Sequence, residues 1–197
     1  MTQAPATLRG TTLHGRRVTL RPPVPDDAGD LYPATHGDPR REAVWTYMGY
    51  GPWATESAFI DWIAERAASP DPLWFTAETN GAAVGMTTLC NYNPAHRRVE
   101  LGHIWYIPAA QRTVVNTEAI YLMLKQSFDE YQARRVEWKC DALNERSRAA
   151  ALRLGFQFEG IFRQHMIVKD RNRDTAWFAM TDGDWPEVEA RLRAKLA

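Results

Sequence analysis

The stretch that most constrains this chain lies between residues 99 and 131, where a strand-like run, a polar turn and a helix-like run follow one another. The apolar run at residues 99–107 favours a strand, and the apolar spacing at residues 117–131 favours a helix. A helix start reached through such a turn has backbone N–H groups without acceptors, and with the helix dipole these groups attract anions. An ordinary strand-to-helix connection has the same pattern, so the rest of the chain must decide between the two interpretations.

The order of the other elements is typical of one mixed α+β domain. The strands at 99–107 and 136–140 are separated by one helix, so we expect them to pair in parallel, whereas the remaining strands form antiparallel neighbours. Residues 1–10 are expected to form a flexible arm, and residues 11–197 a single domain. Further strands are predicted at 17–21, 73–78 and 83–90 and on both sides of a turn at 169–174, and helices from residue 25, from residue 55, and at 117–131, 144–154 and 185–196.

Composition narrows the class of protein. The 24 basic and 24 acidic residues balance, which gives no electrostatic case for a nucleic-acid or membrane partner. Cys90 and Cys140 lie far apart without metal-ligand spacing, so neither a disulfide framework nor a metal site is predicted. With no signal-peptide pattern, the expected location is the cytoplasm. The long hairpin at 156–180 leaves strand edges that a second copy could cover, as in a homodimer.

Four segments together resemble the GNAT superfamily of acetyl-CoA-dependent N-acetyltransferases, and within it the branch of ribosomal-protein N-terminal acetyltransferases. They are RVTLRPPVPDDAGDLY, VELGHIWYIPAAQRTVVNTEA, NERSRAAALRLGFQFEG and FRQHMIVKDRNRDTAWFAMTDGDWP. The resemblance spans roughly residues 16–186. It implies a mixed, mostly antiparallel central sheet with one parallel splayed strand pair, flanked by helices on both faces, and acetyl-CoA as the cofactor.

The resemblance places the coenzyme A pyrophosphate on the loop Gln111, Arg112, Thr113, Val114, Val115 and Asn116, followed by Thr117. The family pattern has small residues, usually glycine, where this chain has Val114 and Asn116. Glycine permits a positive φ and a close approach of the backbone, whereas valine resists a left-handed conformation by roughly 1–2 kcal/mol. We therefore expect a coenzyme A site with altered geometry or affinity.

Two more cofactor contacts follow from the resemblance. Asn144 and Ser147 would contact the pantetheine arm, although Asn144 could simply cap its helix. A backbone N–H near Tyr106 or Ile107 would bind the thioester carbonyl where the two parallel strands diverge.

The chemistry requires a route for one proton, and Glu100 is the first candidate for the base. An unpaired carboxylate in an apolar strand would have a raised pKa; the alternative is a Glu paired with Arg97, Arg98 or Lys139. His103 is the second candidate, and in a regular strand it would face the side opposite to Glu100. Tyr106 or Tyr121 could protonate the leaving thiolate, and His165 is a weaker candidate for a base. No basic partner for Cys140 is evident, so direct transfer is expected.

An aromatic-rich segment at residues 37–53 predicts either a lid over the acceptor or a packed loop. With it, large aromatic residues predict a fairly apolar acceptor pocket. Its predicted walls are Trp45, Tyr50, Trp74, Trp105 and Trp138.

The resulting hypothesis is acetyl transfer to a primary amine, either a peptide N-terminus or a small amine. The alternatives are an acetyltransferase that detoxifies a toxin or antibiotic, and a GNAT-like module that binds coenzyme A without catalysis.

Overall fold

The computed structural model describes residues 7–197 of the 197-residue chain. Within that range the strands are β1 Leu13–His14, β2 Thr19–Arg21, β3 Leu73–Thr79, β4 Ala82–Asn93, β5 Arg98–Tyr106, β6 Arg135–Asp141, β7 Gln157–Val168 and β8 Arg171–Thr181. They form one sheet in the order β1-β2-β3-β4-β5-β6-β8-β7. Every neighbouring pair is antiparallel except β5 and β6. The predicted fold class, with its one parallel pair, is confirmed.

Helices cover both faces of this sheet. They are α1 Ala28–Thr35, α2 Pro39–Glu42, α3 Glu56–Ala67, α4 Val114–Lys125, α5 Glu145–Leu154 and α6 Trp185–Leu196, with a π-helical turn at Gln126–Glu130 after α4. Apolar residues of α4, α5 and α6 pack on one face in the larger core, and those of α1 and α3 pack on the other face in a smaller, aromatic core. Among residues 7–197, no helix is long and apolar enough to span a membrane.

The parallel pairing is short. Residues 98–101 of β5 pair with residues 135–138 of β6, and the register ends at Leu101 and Trp138. Beyond these residues β5 continues along β4, while β6 continues along β8. The two strands therefore diverge, and a gap opens between the end of β5 and the end of β6.

Local signals in the sequence explain several element boundaries. Thr55 caps α3 by accepting a hydrogen bond from the N–H of Ala58 at 3.2 Å. Gly155 ends α5 with φ 106°, and a Cβ at this position would lie 2.8 Å from a methyl group of Val188, so only glycine fits. The predicted turn at 169–174 is tighter than expected, because β8 already begins at Arg171.

Two irregular segments have defined contacts in the structure. Residues 1–6 of the predicted arm lie outside the described residues, and the part that follows is held in place, because both the N–H and the carbonyl of Arg9 contact the Tyr131 hydroxyl at 3.1 Å. The aromatic-rich segment at 37–53 is a packed loop and not an open lid. It contains α2 and a 3₁₀ turn, and Trp45 within it is 1% exposed.

The edge strand β7 exposes large apolar side chains. Phe158, Phe162 and Ile167 are 47%, 53% and 82% exposed. An unpaired edge of this kind is a template for association, and the homodimer stays a prediction.

A buried carboxylate on α4 anchors the start of the chain. Glu118 is 3% exposed, and it accepts three backbone hydrogen bonds, from Arg16 at 2.8 Å, Arg17 at 2.8 Å and Val18 at 3.0 Å. These three N–H groups compensate the desolvation of the charge. The turn between β1 and β2 is thereby fixed to the helix whose first residues form the candidate cofactor loop.

Glu118→Gln tests this anchor. An amide presents one acceptor oxygen and one donor NH₂ group to three donors, so at least one buried N–H loses its acceptor. The expected loss is about 1–3 kcal/mol in the free energy of unfolding. Chemical denaturation measures it, with the exposed Glu130→Gln as the control, which should change stability by no more than about 0.5 kcal/mol. Equal stability of the two variants would contradict an anchoring role.

Candidate active site

The gap between β5 and β6 presents one unpaired backbone donor. The N–H of Ile107 is bonded to the carbonyl of Val84 at 2.9 Å, so Ile107 is not available as the predicted donor. Because successive N–H groups along a strand point to opposite sides, the N–H of Tyr106 points away from β4 and into the gap. Pairing with β6 has already ended at Trp138, so β6 provides no acceptor at this level.

A β-bulge shapes β5 directly before this donor. Trp105 pairs with Met86 and Gly102 with Thr88, so two residues of β5, His103 and Ile104, oppose a single residue of β4. His103 has φ 52°, a left-handed conformation that is uncommon for a residue other than glycine. Such strained conformations cluster at functional sites.

The bulge corrects the predicted orientation of His103. The imidazole lies 4.9 Å from the ring of Trp74, and the register partner of Trp74 is Thr88, which flanks Gly102 on the same face as Glu100. The extra residue in β5 shifts the strict alternation on which the prediction relied. Glu100 and His103 therefore lie on the same face of the sheet, and both are next to the gap.

Glu100 is paired and not isolated. Its Oε2 contacts Lys139 Nζ at 2.9 Å and accepts a hydrogen bond from Asn91 Nδ2 at 2.8 Å, and the residue is 3% exposed. This is the ion pair with Lys139 that the sequence left open as an alternative. The other oxygen, Oε1, has no hydrogen-bond partner among residues 7–197, and it lies 3.4 Å from the position of a Cβ on Gly102, where the strands begin to diverge. One oxygen is held in place and the other is free.

His103 is electrostatically suited to remain neutral. Burial, and after it the positive charges of Lys139, Arg66 and Arg173, lower the pKa of His103 to about 4. The ring stacks on Tyr50 at 5.7 Å. Near neutral pH it is therefore an uncharged imidazole on the face of the sheet that carries Glu100, here called the acceptor face.

The candidate cofactor loop differs from its prediction in two respects. The left-handed residue is Arg112, with φ 61°, whereas Val114 is the first residue of α4 and needs no positive φ. Thr113 caps the helix: its hydroxyl donates to Ala110 O at 2.7 Å and accepts from Val115 N at 3.3 Å. The β-branched side chain at 114 is thus compatible with the backbone, and α4 begins three residues earlier than predicted.

The residues around this helix start fit an anionic cofactor with amide groups. Other N–H groups of the first turn lack intrahelical acceptors, and Oδ1 of Asn116 is buried without a hydrogen-bond partner. Gln111 donates through Nε2 to the carbonyl of Tyr106 at 2.9 Å, which ties the loop to the gap. Arg153 donates to the Thr117 hydroxyl at 2.9 Å and adds a positive charge that the sequence did not single out. Thr117 itself is 2% exposed, so its hydroxyl serves Arg153.

Two residues predicted to contact the cofactor have structural duties, and the predicted contacts stay predictions. Asn144 caps α5 by accepting from the N–H of Ser147 at 3.1 Å. The hydroxyl of Ser147 accepts from Nε1 of Trp138 at 3.0 Å. Trp138 is 3% exposed and belongs to the core beneath α4 and α5, so it is not a wall of the acceptor pocket. Alternation along β6 turns Trp138 away from the face that carries Lys139.

The other four predicted pocket residues do come together. Trp45, Tyr50, Trp74 and Trp105 belong to or pack against the aromatic core next to His103. The three tryptophans are 1–3% exposed. The buried tryptophans pack beneath Tyr50 and His103, and these two rings are the partly exposed ones.

The remaining candidates are distributed around the molecule. The phenol of Tyr106 is buried without a hydrogen-bond partner, and burial raises its pKa, so it stays protonated. Tyr121 contacts Glu189 of α6 at 3.5 Å, away from the gap. His165 is bonded to Thr175 at 2.9 Å on the β7–β8 hairpin. Burial raises the pKa of the Cys140 thiol, which makes it a poor nucleophile.

Two residues of the site were not predicted as functional: Asn91, which orients Glu100, and Lys169, whose Nζ donates to the carbonyl of Trp45 at 2.8 Å. Lys169 joins the tip of the β7–β8 hairpin to the aromatic loop, and so closes the acceptor side at one end. Asn91 lies at a register shift between β4 and β5, and Lys169 contacts a residue 124 positions away. Neither contact has a local sequence signal.

A cleft lies elsewhere on the molecule. A volume of about 840 Å³ lies between the β1–β2 turn, α4 and α6, and its lining includes His14, Arg16, Tyr121 and Arg193. It does not reach the gap. The candidate site is therefore identified by its functional groups and not by cavity volume. Among residues 7–197 no group of His, Cys, Asp and Glu could hold a metal ion.

Known proteins resemble this chain in sequence and in fold. Residues 17–157 match the family model described as an acetyltransferase (GNAT) domain. The crystal structure of a GCN5-related N-acetyltransferase from Brucella melitensis superposes with a TM-score of 0.94 at 38% identity, covering 100% of this chain and 90% of that one. Mycobacterium smegmatis RimJ in complex with CoA-disulfide gives a TM-score of 0.80 at 25% identity, covering 94% and 95%. A Bacillus subtilis protein named "Putative ribosomal N-acetyltransferase YdaF" is 24% identical over 172 residues, covering 85% of this chain and 93% of that protein.

The low pKa of His103 is open to direct measurement. Nuclear magnetic resonance should show its ring protons titrating near pH 4, with the signal assigned by its loss in His103→Gln. Because an unfolded histidine has a pKa of about 6.5, the unfolded state binds more protons between these two values. The contribution of His103 to stability is therefore complete above about pH 6.5 and is lost as the pH falls toward 4.

Lys139→Met should raise the pKa of His103, because Lys139 has the largest effect of the three cations that oppose protonation. A titration midpoint above 6 in the unmodified protein would contradict the buried environment described for His103.

Proposed function

The chain belongs to the acetyltransferase (GNAT) domain family, and on this premise we propose that it transfers an acetyl group from acetyl-CoA directly to a primary amine, either a peptide N-terminus or a small amine. That it is an acetyl-CoA-dependent N-acetyltransferase follows from the family. The acceptor and the residue roles are the content of the proposal.

The observation that carries the proposal is the gap itself. The unpaired N–H of Tyr106 points into it, Glu100 and His103 lie on one face of the sheet beside it, and the capped start of α4 lies at its end. A donor for a developing oxyanion, a proton acceptor and an anion-binding helix start are the groups that acyl transfer to an amine requires.

Acetyl-CoA supplies an activated acyl thioester. The first turn of α4, with Arg112 and the nearby Arg153, would hold its phosphates, and Asn116 Oδ1 would accept from one of its amides. The N–H of Tyr106 would donate to the acetyl carbonyl oxygen, whose negative charge grows as the amine attacks. Because that donor is fixed by the strand, it needs no rearrangement during the reaction.

The proton of the attacking amine passes most directly to Glu100. Oε1 is free, and Oε2 is fixed by Lys139 and Asn91, so the carboxylate has one oxygen for chemistry and one for orientation. His103 remains neutral beside it and provides a second acceptor. On the far side of the strand, the protonated phenol of Tyr106 would donate to the leaving sulfur.

Direct transfer is supported by the state of both thiols. Burial raises the pKa of Cys90 to about 12, and burial also raises that of Cys140. A nucleophilic cysteine must be a thiolate at working pH. Neither cysteine meets that condition, so no covalent acyl-enzyme is proposed.

A peptide N-terminus is the first acceptor to try. The Bacillus subtilis relative carries a name that refers to ribosomal N-acetylation, and this chain covers 93% of its length. The acceptor side is a partly exposed surface of Tyr50 and His103 backed by buried tryptophans, which suits an extended backbone or a flat amine.

Glu100→Gln separates binding from chemistry. Acetyl-CoA at 100 times its dissociation constant should stabilise both proteins by about 2.7 kcal/mol, seen as a higher melting temperature. Thiol release with an accepted amine should fall by about 10²–10⁴-fold in the variant, because the proton acceptor is lost. Glu137→Gln is an unsuitable control because Glu137 holds two arginines, so the exposed Glu130→Gln is used.

No stabilisation by millimolar acetyl-CoA would contradict the proposal. Stabilisation of both proteins with equal thiol release, or with none from any amine, would favour a module that binds coenzyme A without using Glu100.

A further inference from the structure

One arginine beside the site has no anionic partner. Arg173 lies on β8, is partly buried, and makes no ion pair with any carboxylate of residues 7–197. Its Nε is fully buried and has no hydrogen-bond acceptor. Its neighbour two residues earlier, Arg171, is paired with the buried Asp141. A buried donor of a charged group without an acceptor costs free energy, so this position calls for a ligand.

The register of β8 turns Arg173 toward the acceptor face. Trp177 pairs with Lys139 across the β6–β8 ladder, and Lys139 reaches Glu100 on that face. Residues 173, 175 and 177 of one strand project on the same side. Lowering of the His103 pKa by the charge of Arg173 agrees with this placement.

Other groups on this face are also donors in need of acceptors. Nε1 of Trp177 is buried without a partner, and Lys139 lies over its ring at 5.2 Å. Lys169 has only the carbonyl of Trp45 as an acceptor in the described part of the chain, and burial lowers its pKa. The face therefore presents N–H donors and positive charge.

The carboxylates that could balance this charge are already paired. Glu100 holds Lys139, and Asp141 holds Arg171. A cationic amine with no acidic group would meet net repulsion here, whereas an acceptor that also carries a carboxylate would be attracted.

We propose that Arg173 binds a carboxylate of the acceptor, so that the preferred substrates are amines accompanied by a nearby carboxylate group. The inference rests on the proposed acetyl transfer and specifies its acceptor. A guanidinium binds a carboxylate through two parallel hydrogen bonds, and among residues 7–197 Arg173 has no carboxylate partner and its Nε has no acceptor. The carboxylate has two sources, the side chain of an acidic N-terminal residue or the α-carboxylate of a free amino acid.

The experiment compares acceptors that differ by one charge. Thiol release is measured with the full chain at saturating acetyl-CoA for two pairs of acceptors. The first pair is one peptide carrying either Asp or Asn at its N-terminus, and the second pair is alanine and alaninamide. At least one pair should show kcat/KM about 10- to 100-fold higher for the carboxylate member. The pair that shows it identifies the source of the carboxylate.

Arg173→Gln should abolish that preference through a higher KM for the carboxylate member, with the KM of acetyl-CoA unchanged. Arg173→Lys should restore part of the preference, because it retains the charge without the planar fork. Arg163→Gln, an exposed arginine on β7, is the matched control and should keep the full preference.

Equal kcat/KM for both members of each pair would overturn the inference. So would a raised KM for acetyl-CoA in Arg173→Gln with the acceptor preference intact, which would assign Arg173 to the cofactor. If no acceptor is turned over, the proposed function fails; calorimetric binding of the same four compounds to the coenzyme A-bound protein then decides the inference alone. Tighter binding of a carboxylate member that Arg173→Gln removes would sustain it, and its absence would refute it.

Discussion

The end of the parallel ladder after Leu101 and Trp138 is the constraint on which the site depends. β5 remains bound to β4 up to the bond between Ile107 and Val84, and β6 remains bound to β8 up to Asp141, so neither strand can close the gap by itself. At Tyr106 the N–H has no partner on either neighbouring strand, and in the proposed reaction a carbonyl oxygen of acetyl-CoA would take that ladder position.

The bulge at His103 and the pairing of Glu100 follow from the same geometry. An extra residue in β5 brings the imidazole onto the face of the carboxylate, and the cross-strand contact with Lys139 holds one carboxylate oxygen still. A positive environment then keeps His103 neutral. On the acceptor face Glu100 is paired with Lys139 and Asp141 with Arg171, whereas Arg173 and Lys169 have no carboxylate partner among residues 7–197.

The sequence predicted the fold well because its signals are local. The Thr55 cap and the Gly155 stop are each recognised from a few neighbouring residues, and the strand–turn–helix stretch led to the family. What it could not predict depends on register. One bulge shifts the alternation of side chains along β5, so the predicted orientation of His103 was wrong. The face that Trp138 occupies is set by the parallel pairing, which the sequence alone does not show.

The candidate cofactor loop shows a further limit of prediction from the sequence. The sequence identified the position, but the expected conflict between Val114 and a positive φ does not arise, because Arg112 takes the left-handed conformation and Thr113 starts the helix. The family pattern specifies residues, whereas the backbone conformation that those residues serve was visible only in the structure. Contacts between distant segments, such as Lys169 with Trp45, have no local signal at all.

Amide hydrogen exchange at two adjacent residues tests the central claim most directly. The N–H of Ile107 is bonded to Val84, so it should exchange slowly with and without acetyl-CoA. The N–H of Tyr106 points into the gap, so it should exchange rapidly in the free protein and become protected when acetyl-CoA is added. Protection of Tyr106 in the free protein, or its indifference to saturating acetyl-CoA, would contradict the assignment of this gap as the site of acetyl transfer.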